Sequence, residues 1–351
     1  MRLFASAAVL MTMILVPESM AGRSVVEETL AKGTVSMDLR QVGAPVQLLA
    51  PEARVQVAAG VCFLEGPAID AAGNLYCSDI AGNRILKIDA QGNLSVFRAD
   101  SGRTNGNTLD ARGRLISCEG AENGPGGRRR IVRTDLTTGA VEVLTERYEG
   151  KRYNSPNDVV VDPRGRIWFT DPLYAPDRTI MEHPHEAVYR IDTDESVHRV
   201  ITQPAIGRPN GLAVTADGRT LYVIDSNYIR PDAQRKIWAF DIADDGSVSG
   251  QRQVYDFGRG RGGDGMRLDS QGNLWVAAGI AAPRTANETG DVPTGVYVIT
   301  PDGKLLGRIP IPEDVVTNLA FGGPDKKTLY VTAGKTIFRI STAVAGYSLF
   351  P

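Results

Sequence analysis

The sequence predicts an all-β fold, a six-bladed β-propeller, and two observations support the prediction. A pair of short apolar strands joined by a turn occurs six times between residues 65 and 330, and successive copies begin 40 to 54 residues apart. A third apolar strand follows the pair in each copy. A period of this length in an all-β pattern is typical of a propeller with one blade per repeat.

The strand pair is clearest at residues 210–225. Its turn, residues 216–219, contains Gly218, which can adopt the positive φ that a tight turn requires. The strand at residues 221–224 is apolar and rich in residues that favour β-structure. When the copies are aligned by their turns, each begins with a side chain that carries oxygen: Glu65, Asn105, Asn157, Asn210, Asp264 and Asn318.

The third strands are predicted at residues 84–89, 130–135, 187–192, 236–241, 295–299 and 336–340. A fourth strand is visible in some repeats, most clearly at residues 141–144 and 197–200. Apolar and polar residues nearly alternate there, as expected of an outer strand with one face in water.

The first 21 residues are predicted to be a secretory signal peptide. Arg2 precedes a short, mostly apolar run at residues 3–16, and Ser19 and Ala21 place small side chains where a signal peptidase cleaves. A membrane anchor is the alternative, but the run is shorter than the roughly 18 apolar residues that a span needs. We therefore expect no membrane span and an exported product, periplasmic or secreted, that starts near Gly22.

The remaining chain is predicted to form one domain. Residues 22–55 would be an N-terminal extension that could supply the strand closing the ring, and residues 56–351 the propeller. Closure matters because an open ring leaves edge strands unpaired. A net charge of −2 and the lack of a basic stripe exclude a typical nucleic-acid-binding protein.

Cysteine and histidine give little indication of a site. Cys62, Cys77 and Cys118 allow at most one disulfide, and no CxxC pair indicates a cysteine metal centre. His183 and His185 lie in a long loop at residues 174–186, which could cover one mouth of the ring or form a solvated connection.

The six residues that open the repeats are the strongest candidates for a site. Equivalent ends of the inner strands of a propeller face its axis, so these side chains should converge. Carboxylate and amide oxygens suit a hard cation, Ca²⁺ first, with Mg²⁺ or Zn²⁺ as alternatives. A structural role is the other interpretation, because Asn and Asp often bond neighbouring backbone where strands begin.

Two further repeated positions are predicted to be structural. The residue five positions on should bond backbone amides of the turn; these residues are Asp70, Asp110, Asp162, Thr215 and Asp269. Aromatic residues of the second strands should form core between blades; these are Tyr76, Trp168, Tyr222, Trp275 and Tyr330.

The segments that open four of the repeats resemble the regucalcin and gluconolactonase family of six-bladed propeller lactonases. They are Glu65-Gly66-Pro67, Asn157-Asp158, Asn210-Gly211-Leu212 and Asp264-Gly265-Met266. The segment at residues 155–158, followed by Trp168-Phe169-Thr170-Asp171-Pro172, is similar to the bacterial gluconolactonase branch. The resemblance runs from about residue 61 to residue 340.

The resemblance implies one divalent cation, usually calcium. Its ligands would be Glu65, Asn210 and Asp264, with Asn157 as a fourth that could instead touch substrate. Asn105 and Asn318 match the position but not the ligand set and would line the channel. Regucalcin-like sugar lactonases have an arginine where this chain has Ser155, so Arg208 or Arg103 would have to supply that contact.

The expected function is metal-dependent hydrolysis of a small-molecule lactone, with a sugar lactone as the first candidate. Asp264 would be the general base, because it is an acid in the predicted metal shell. Candidate substrate contacts are Asn105, Glu119, Tyr174 and Arg208. The alternatives are a phosphotriesterase-like hydrolase and a non-catalytic propeller that binds calcium or sugar; the sequence leaves the oligomeric state open.

Overall fold

A computed structural model describes residues 36–38, 46–50, 53–60, 63–121, 127–175, 177–229, 232–283 and 285–349. The predicted signal peptide, Cys62 and most of the predicted extension lie outside these residues. In this part of the chain, no helix is long and apolar enough to span a membrane.

The described residues form strands, turns and two short 3₁₀ turns, Val46–Leu48 and Arg178–Ile180, with no α-helix among them. Two strands precede the first repeat: β1 (Ser36–Asp38) and β2 (Arg54–Gly60). Blade 1 contains β3 (Leu64–Ile69), β4 (Leu75–Asp79), β5 (Arg84–Ile88) and β6 (Leu94–Ala99). Blade 2 contains β7 (Thr104–Leu109), β8 (Leu115–Glu119), β9 (Arg130–Thr134) and β10 (Val141–Thr145).

A two-stranded hairpin, β11 (Arg147–Tyr148) and β12 (Lys151–Arg152), leads into the next blade. Blade 3 contains β13 (Val159–Val161), β14 (Ile167–Asp171), β15 (Ala187–Ile191) and β16 (Val197–Thr202). Blade 4 contains β17 (Pro209–Val214), β18 (Thr220–Ser226), β19 (Arg235–Ile242) and β20 (Val248–Asp256). Blade 5 contains β21 (Gly263–Leu268), β22 (Leu274–Ala278), β23 (Gly295–Ile299) and β24 (Leu305–Pro310).

Blade 6 joins the two ends of the described chain. It contains β25 (Val316–Gly322), β26 (Thr328–Ala333) and β27 (Thr336–Ser341), and β2 pairs antiparallel with β27 as its fourth strand. Strand β1 pairs outside β2. The N-terminal part of the chain therefore closes the ring, and the predicted boundary between residues 55 and 56 falls inside the closing strand. The predicted six-bladed propeller is confirmed.

The repeated turn residues hold the turns, as predicted. The Asp162 carboxylate accepts hydrogen bonds from the backbone N–H groups of Arg164 (2.9 Å) and Arg166 (3.0 Å). Asp269 accepts from Gln271 and Asn273 in the same way, and Thr215 accepts from Thr220. These side chains satisfy turn amides that would otherwise lack partners, which explains their recurrence.

The repeated aromatic residues form core between blades, also as predicted. Trp168 of blade 3 is fully buried in a cluster with Leu212 and Val214 of blade 4, and Trp275 of blade 5 packs with Leu319 of blade 6. Tyr76, Tyr222 and Tyr330 occupy the equivalent contacts. Cys77 and Cys118 are buried free thiols on second strands, where they act as small apolar side chains.

A central cavity of about 120 Å³ is lined by residues from the inner strands of all six blades. Tyr347, Ser348 and Leu349 also line it, and the backbone N–H of Tyr347 donates to the carbonyl oxygen of Leu268 at 2.8 Å. In each inner strand the residue that opens the repeat precedes the cavity-lining residues. The six opening residues therefore lie at one end of the channel and the C-terminal segment at the other.

Candidate active site at the start of the inner strands

Glycines follow four of the six opening residues, in blades 1, 2, 4 and 5, and bring neighbouring inner strands close together there. A Cβ on Gly66 would lie 2.3 Å from the carbonyl oxygen of Asn105, and a Cβ on Gly211 would lie 2.3 Å from that of Asp264. Gly106 and Gly265 approach the next blade as closely. Because a side chain would not fit, the recurrent Asn-Gly, Asp-Gly and Glu-Gly pairs allow neighbouring inner strands to meet around the axis.

The same positions interrupt the regular pairing of the inner strand with the second strand. Register shifts fall between Glu65 and Ala68 and between Pro209 and Leu212, and equivalent shifts occur in blades 2, 5 and 6. Such bulges redirect side chains and are frequent beside active sites. Here they lie at the opening residues of five repeats.

Asn210 and Asp264 are brought into direct contact. The Asn210 Nδ2 donates to Asp264 Oδ1 at 2.7 Å and to the Tyr174 hydroxyl at 2.8 Å. Asp264 Oδ2 lies 3.3 Å from a guanidinium nitrogen of Arg261. Asn210 and Asp264 are both buried. Two of the predicted ligands, one of them also the predicted base, are therefore joined in one buried hydrogen-bonded pair.

Glu65 of blade 1 is bonded to Asn318 of blade 6. Glu65 Oε2 accepts from the backbone N–H of Gly66 at 2.9 Å and from Asn318 Nδ2 at 3.3 Å. Burial, followed by the charges of Asp264 and Asp158, raises the pKa of the Glu65 carboxyl well above its ordinary value. Glu65 therefore shares the electrostatic environment of Asp264 although the two carboxylates make no direct bond.

Asp158 is a third buried acid that the sequence reasoning left without a role. It follows Asn157 at the position where blades 1, 2, 4 and 5 have glycine. Burial raises its pKa, and Arg267, whose guanidinium lies 3.4 Å from Asp158 Oδ2, opposes the rise. The replacement of glycine by an acid at this repeat position was the signal that could have revealed it.

Burial also raises the pKa of Asp264, whereas Arg261 and the hydrogen bond from Asn210 lower it and Asp158 raises it further. Three buried carboxyl groups, those of Glu65, Asp158 and Asp264, thus interact electrostatically with only partial compensation by Arg261 and Arg267. Buried acids in this arrangement bind protons or a cation, because their mutual repulsion is otherwise too costly.

An aromatic wall stands beside Asp264. Tyr174 and Tyr228 stack with ring centroids 5.8 Å apart, and both are half-buried. The Arg208 guanidinium lies 5.0 Å from the Tyr174 ring and 5.7 Å from the Tyr228 ring. On the Asp264 side, the Arg261 guanidinium lies 5.1 Å from the Tyr228 ring. Tyr228 and Arg261 were not among the site residues predicted from the sequence, although Arg261 precedes Asp264 by only three residues.

Arg208 is almost completely buried, with a side chain 5 % exposed and an Nε 3.4 Å from Glu186 Oε1. It therefore supports the two tyrosines from within the protein and offers little surface of its own to a substrate. Tyr174 anchors the loop after β14 to the ring through its hydroxyl. The exposed surface of the wall is formed by the tyrosines and Arg261.

The remaining predicted residues make other contacts. The backbone of Asn157 is fixed by Thr170 (2.8 Å) and Gly106 (2.7 Å), and its side chain is buried. Asn105 is half-buried, and its carbonyl oxygen accepts from the Ser78 hydroxyl. The structure does not bring Glu119 to this group: its carboxylate is bound by Arg98 at 2.6 Å and Arg130 at 2.7 Å.

Ser155 and the loop histidines make local contacts. The Ser155 hydroxyl accepts from the backbone N–H of Ala121 at 2.9 Å. His183 is buried beside the rings of Tyr148 and Tyr189, and His185 contacts Gln203. Within the described ranges, no three His, Cys, Asp or Glu side chains are grouped closely enough to hold a metal by themselves, so any metal here requires amide oxygens as well.

Comparison with known proteins gives a match to the family model described as SMP-30/Gluconolactonase/LRE-like region over residues 63–335. A gluconolactonase from Zymomonas mobilis is 29% identical over 83% of this chain and 81% of its own. A pentonolactonase from Haloferax volcanii is 28% identical over 74% of this chain and 76% of its own. The structure of a gluconolactonase from Xanthomonas campestris, 33% identical, superimposes with a TM-score of 0.71 over 85% of this chain and 92% of its own.

Proposed function

Because this chain belongs to the SMP-30/gluconolactonase/LRE-like family, we propose that it hydrolyses a lactone with the help of one divalent cation. The observation that carries the proposal is the convergence of Glu65, Asn210 and Asp264 in a buried, acidic space at one end of the channel. The names of its relatives, a gluconolactonase and a pentonolactonase, support sugar lactones as the substrate class.

The chemistry of the donor set fits a hard cation. Glu65 and Asp264 offer carboxylate oxygens, Asn210 offers an amide oxygen, and Asn157 stands in the equivalent position of blade 3. Burial, and to a lesser extent neighbouring carboxylates, raises the pKa of both acids, and a divalent cation would stabilise their ionised forms. Oxygen donors without histidine or cysteine favour Ca²⁺ over Zn²⁺. When bound, the cation would polarise the lactone carbonyl.

Asp264 is the proposed general base. Its carboxylate is held by Asn210 at Oδ1 and by Arg261 at Oδ2, so its orientation is fixed before substrate arrives. Burial raises its pKa, which strengthens it as a proton acceptor, while Arg261 keeps the ionised form accessible. Asp264 would take the proton of the attacking water.

The wall formed by Tyr174 and Tyr228 is the proposed substrate surface. Stacked, half-buried rings offer an apolar face to the ring of a lactone, and Arg261 adds a donor for its hydroxyl or carbonyl oxygens. Arg208 fixes both tyrosines from behind. Ser155 stands where regucalcin-like sugar lactonases have an arginine. The sugar contact of that arginine would here be made from the side of the channel where Tyr174 and Tyr228 lie.

The test is a turnover assay of purified protein, with and without chelator, against sugar lactones and aryl phosphotriesters. We expect chelator-sensitive hydrolysis of one or more lactones and little turnover of phosphotriesters. Faster turnover of phosphotriesters than of lactones would show that the protein is a phosphotriesterase-like hydrolase and not a lactonase. Calcium binding with no turnover of either class would identify a binding protein instead.

A further inference from the structure

We propose that a buried acid near the end of the second strand in blades 1, 3 and 4 positions the cation ligand of its own blade. The three acids are Asp79, Asp171 and Asp225. Each side chain bonds backbone N–H groups of the segment leading into the inner strand, two or three residues before the opening residue. This inference rests on the proposed function, because it concerns the residues that would hold the cation.

Blade 4 shows the arrangement fully. Asp225 is completely buried, and it receives hydrogen bonds from the backbone N–H of Gly207 at Oδ2 (2.7 Å) and of Arg208 at Oδ1 (2.9 Å). These amides precede Asn210 by three and two residues. The backbone N–H of Ser226 then donates to the carbonyl oxygen of Arg208 at 2.9 Å. The segment that leads to Asn210 is therefore held both through its N–H groups and through a carbonyl oxygen.

Blade 3 repeats it at the same offsets. Asp171 is completely buried and accepts from the backbone N–H of Asn154 at Oδ2 (2.8 Å) and of Ser155 at Oδ1 (2.7 Å). These amides precede Asn157 by three and two residues. The donating residues differ between the two blades although both segments end in Pro-Asn, so the shared bonding pattern does not depend on the side chains of the donors.

Blade 1 shows a looser version. Asp79 accepts from the backbone N–H of Phe63, two residues before Glu65, at 3.4 Å, and its remaining bonds go to Gly82 and Arg84. The hold on the segment before Glu65 is therefore weaker. Glu65 itself has a longer side chain and an additional bond to Gly66.

The other blades lack this contact. Blade 2 has Glu119 at the equivalent position, but its carboxylate binds Arg98 and Arg130. Blades 5 and 6 end their second strands with Ala278 and Ala333. Two of these blades open with Asn105 and Asn318, which lie outside the proposed ligand set. In the third, Asp264 is held directly by Asn210 and Arg261.

The physical reason is preorganisation. A hydrogen bond from a backbone amide to a carboxylate is roughly twice as strong as one between neutral groups. Two such bonds fix the orientation of the peptide groups that precede the ligand residue. They thereby fix the position of its Cα. A cation site needs its donors within about 0.5 Å of their bound positions, and supporting groups typically change metal affinity about 10–100-fold.

The test uses Asp225→Asn and Asp171→Asn, with Ca²⁺ binding by isothermal titration calorimetry and stability by urea unfolding measured on the same samples. Asparagine keeps one acceptor oxygen but turns an NH₂ group toward the second amide. We expect about a tenfold or greater loss of Ca²⁺ affinity in each, and a smaller loss in Asp79→Asn because its bond is long.

Asp162→Asn is the matched control. Asp162 is equally buried in blade 3 and also accepts two backbone amides, but at the turn that follows the inner strand, away from the opening residues. The Asp162→Asn variant should be less stable than the wild type but should bind Ca²⁺ with the same affinity. Equal affinity losses in the control and the two main variants would overturn the inference, because they would show a general stability effect.

The remaining outcomes separate this inference from the proposed function. Folded Asp225→Asn and Asp171→Asn that bind Ca²⁺ like the wild type would refute the inference alone. A wild-type protein that binds no Ca²⁺ would refute the cation proposal and this inference with it. Should one of the two main variants not fold, the other and Asp79→Asn still decide between these results.

Discussion

Replacing Gly211 by alanine is expected to damage both stability and the site. The added Cβ would lie 2.3 Å from the carbonyl oxygen of Asp264 and 2.8 Å from the Cα of Gly265. Ordinary contact begins at 3.4 Å, and both neighbours are backbone atoms, so the inner strands of blades 4 and 5 must separate by about 1 Å. Overpacking of this kind typically costs about 1–3 kcal/mol.

The same displacement acts on the predicted ligands. Asn210 Nδ2 and Asp264 Oδ1 are 2.7 Å apart, and a further separation of about 1 Å exceeds hydrogen-bonding distance. We therefore expect Gly211→Ala to lower both the free energy of unfolding, measured in urea, and the affinity for Ca²⁺. Gly290→Ala is the control, since a Cβ there meets no atom within 4 Å. Wild-type stability and affinity in Gly211→Ala would refute the close-approach argument.

Three further predictions concern the acids and the N-terminus. Asp264→Asn should lower lactone turnover by about 10²–10⁴-fold, with bound metal measured in parallel. The control Asp269→Asn, which changes a turn residue, should retain lactone turnover. An Asp264→Asn variant that holds its metal and shows wild-type turnover would make Asp264 a ligand only. Because the pKa of Glu65 is raised in the metal-free protein and a cation favours the ionised form, adding Ca²⁺ across a series of weakly buffered pH values should release protons, and fewer from Glu65→Gln. Equal release at every pH would contradict this. Mass spectrometry of exported protein should give an N-terminus near Gly22, and a product that retains Met1 would show that no signal is removed.

Much of the fold could be predicted because its causes are local and repeated. Turn acids such as Asp162 and core aromatics such as Trp168 recur at fixed offsets, and each makes the contact that its chemistry requires. The family match over residues 63–335 confirms the resemblance inferred from the repeat openings. The closing strand was harder to delimit, because β2 pairs with β27, nearly 280 residues away in sequence.

The site was only partly predictable. Asn210 and Asp264 could be found by alignment of the repeats, but Arg261, which bonds Asp264, lies in a loop outside the repeat pattern. Tyr174 and Tyr228 both stand three residues after the aligned Asp171 and Asp225, but the stacking of their rings depends on how the loops of blades 3 and 4 fold. Glu119 was predicted as a substrate contact because of its expected position in a loop, whereas in the fold Arg98, Arg128 and Arg130 surround its carboxylate.

The central claim is that a cation held at the opening residues of the inner strands is required for lactone hydrolysis. The most direct measurement strips the protein of metal with a chelator and then titrates it with Ca²⁺, recording bound metal and lactone turnover in the same samples. The account predicts that turnover rises in proportion to bound Ca²⁺ and reaches its maximum at about one ion per chain. Undiminished lactone hydrolysis by the metal-free protein would contradict it.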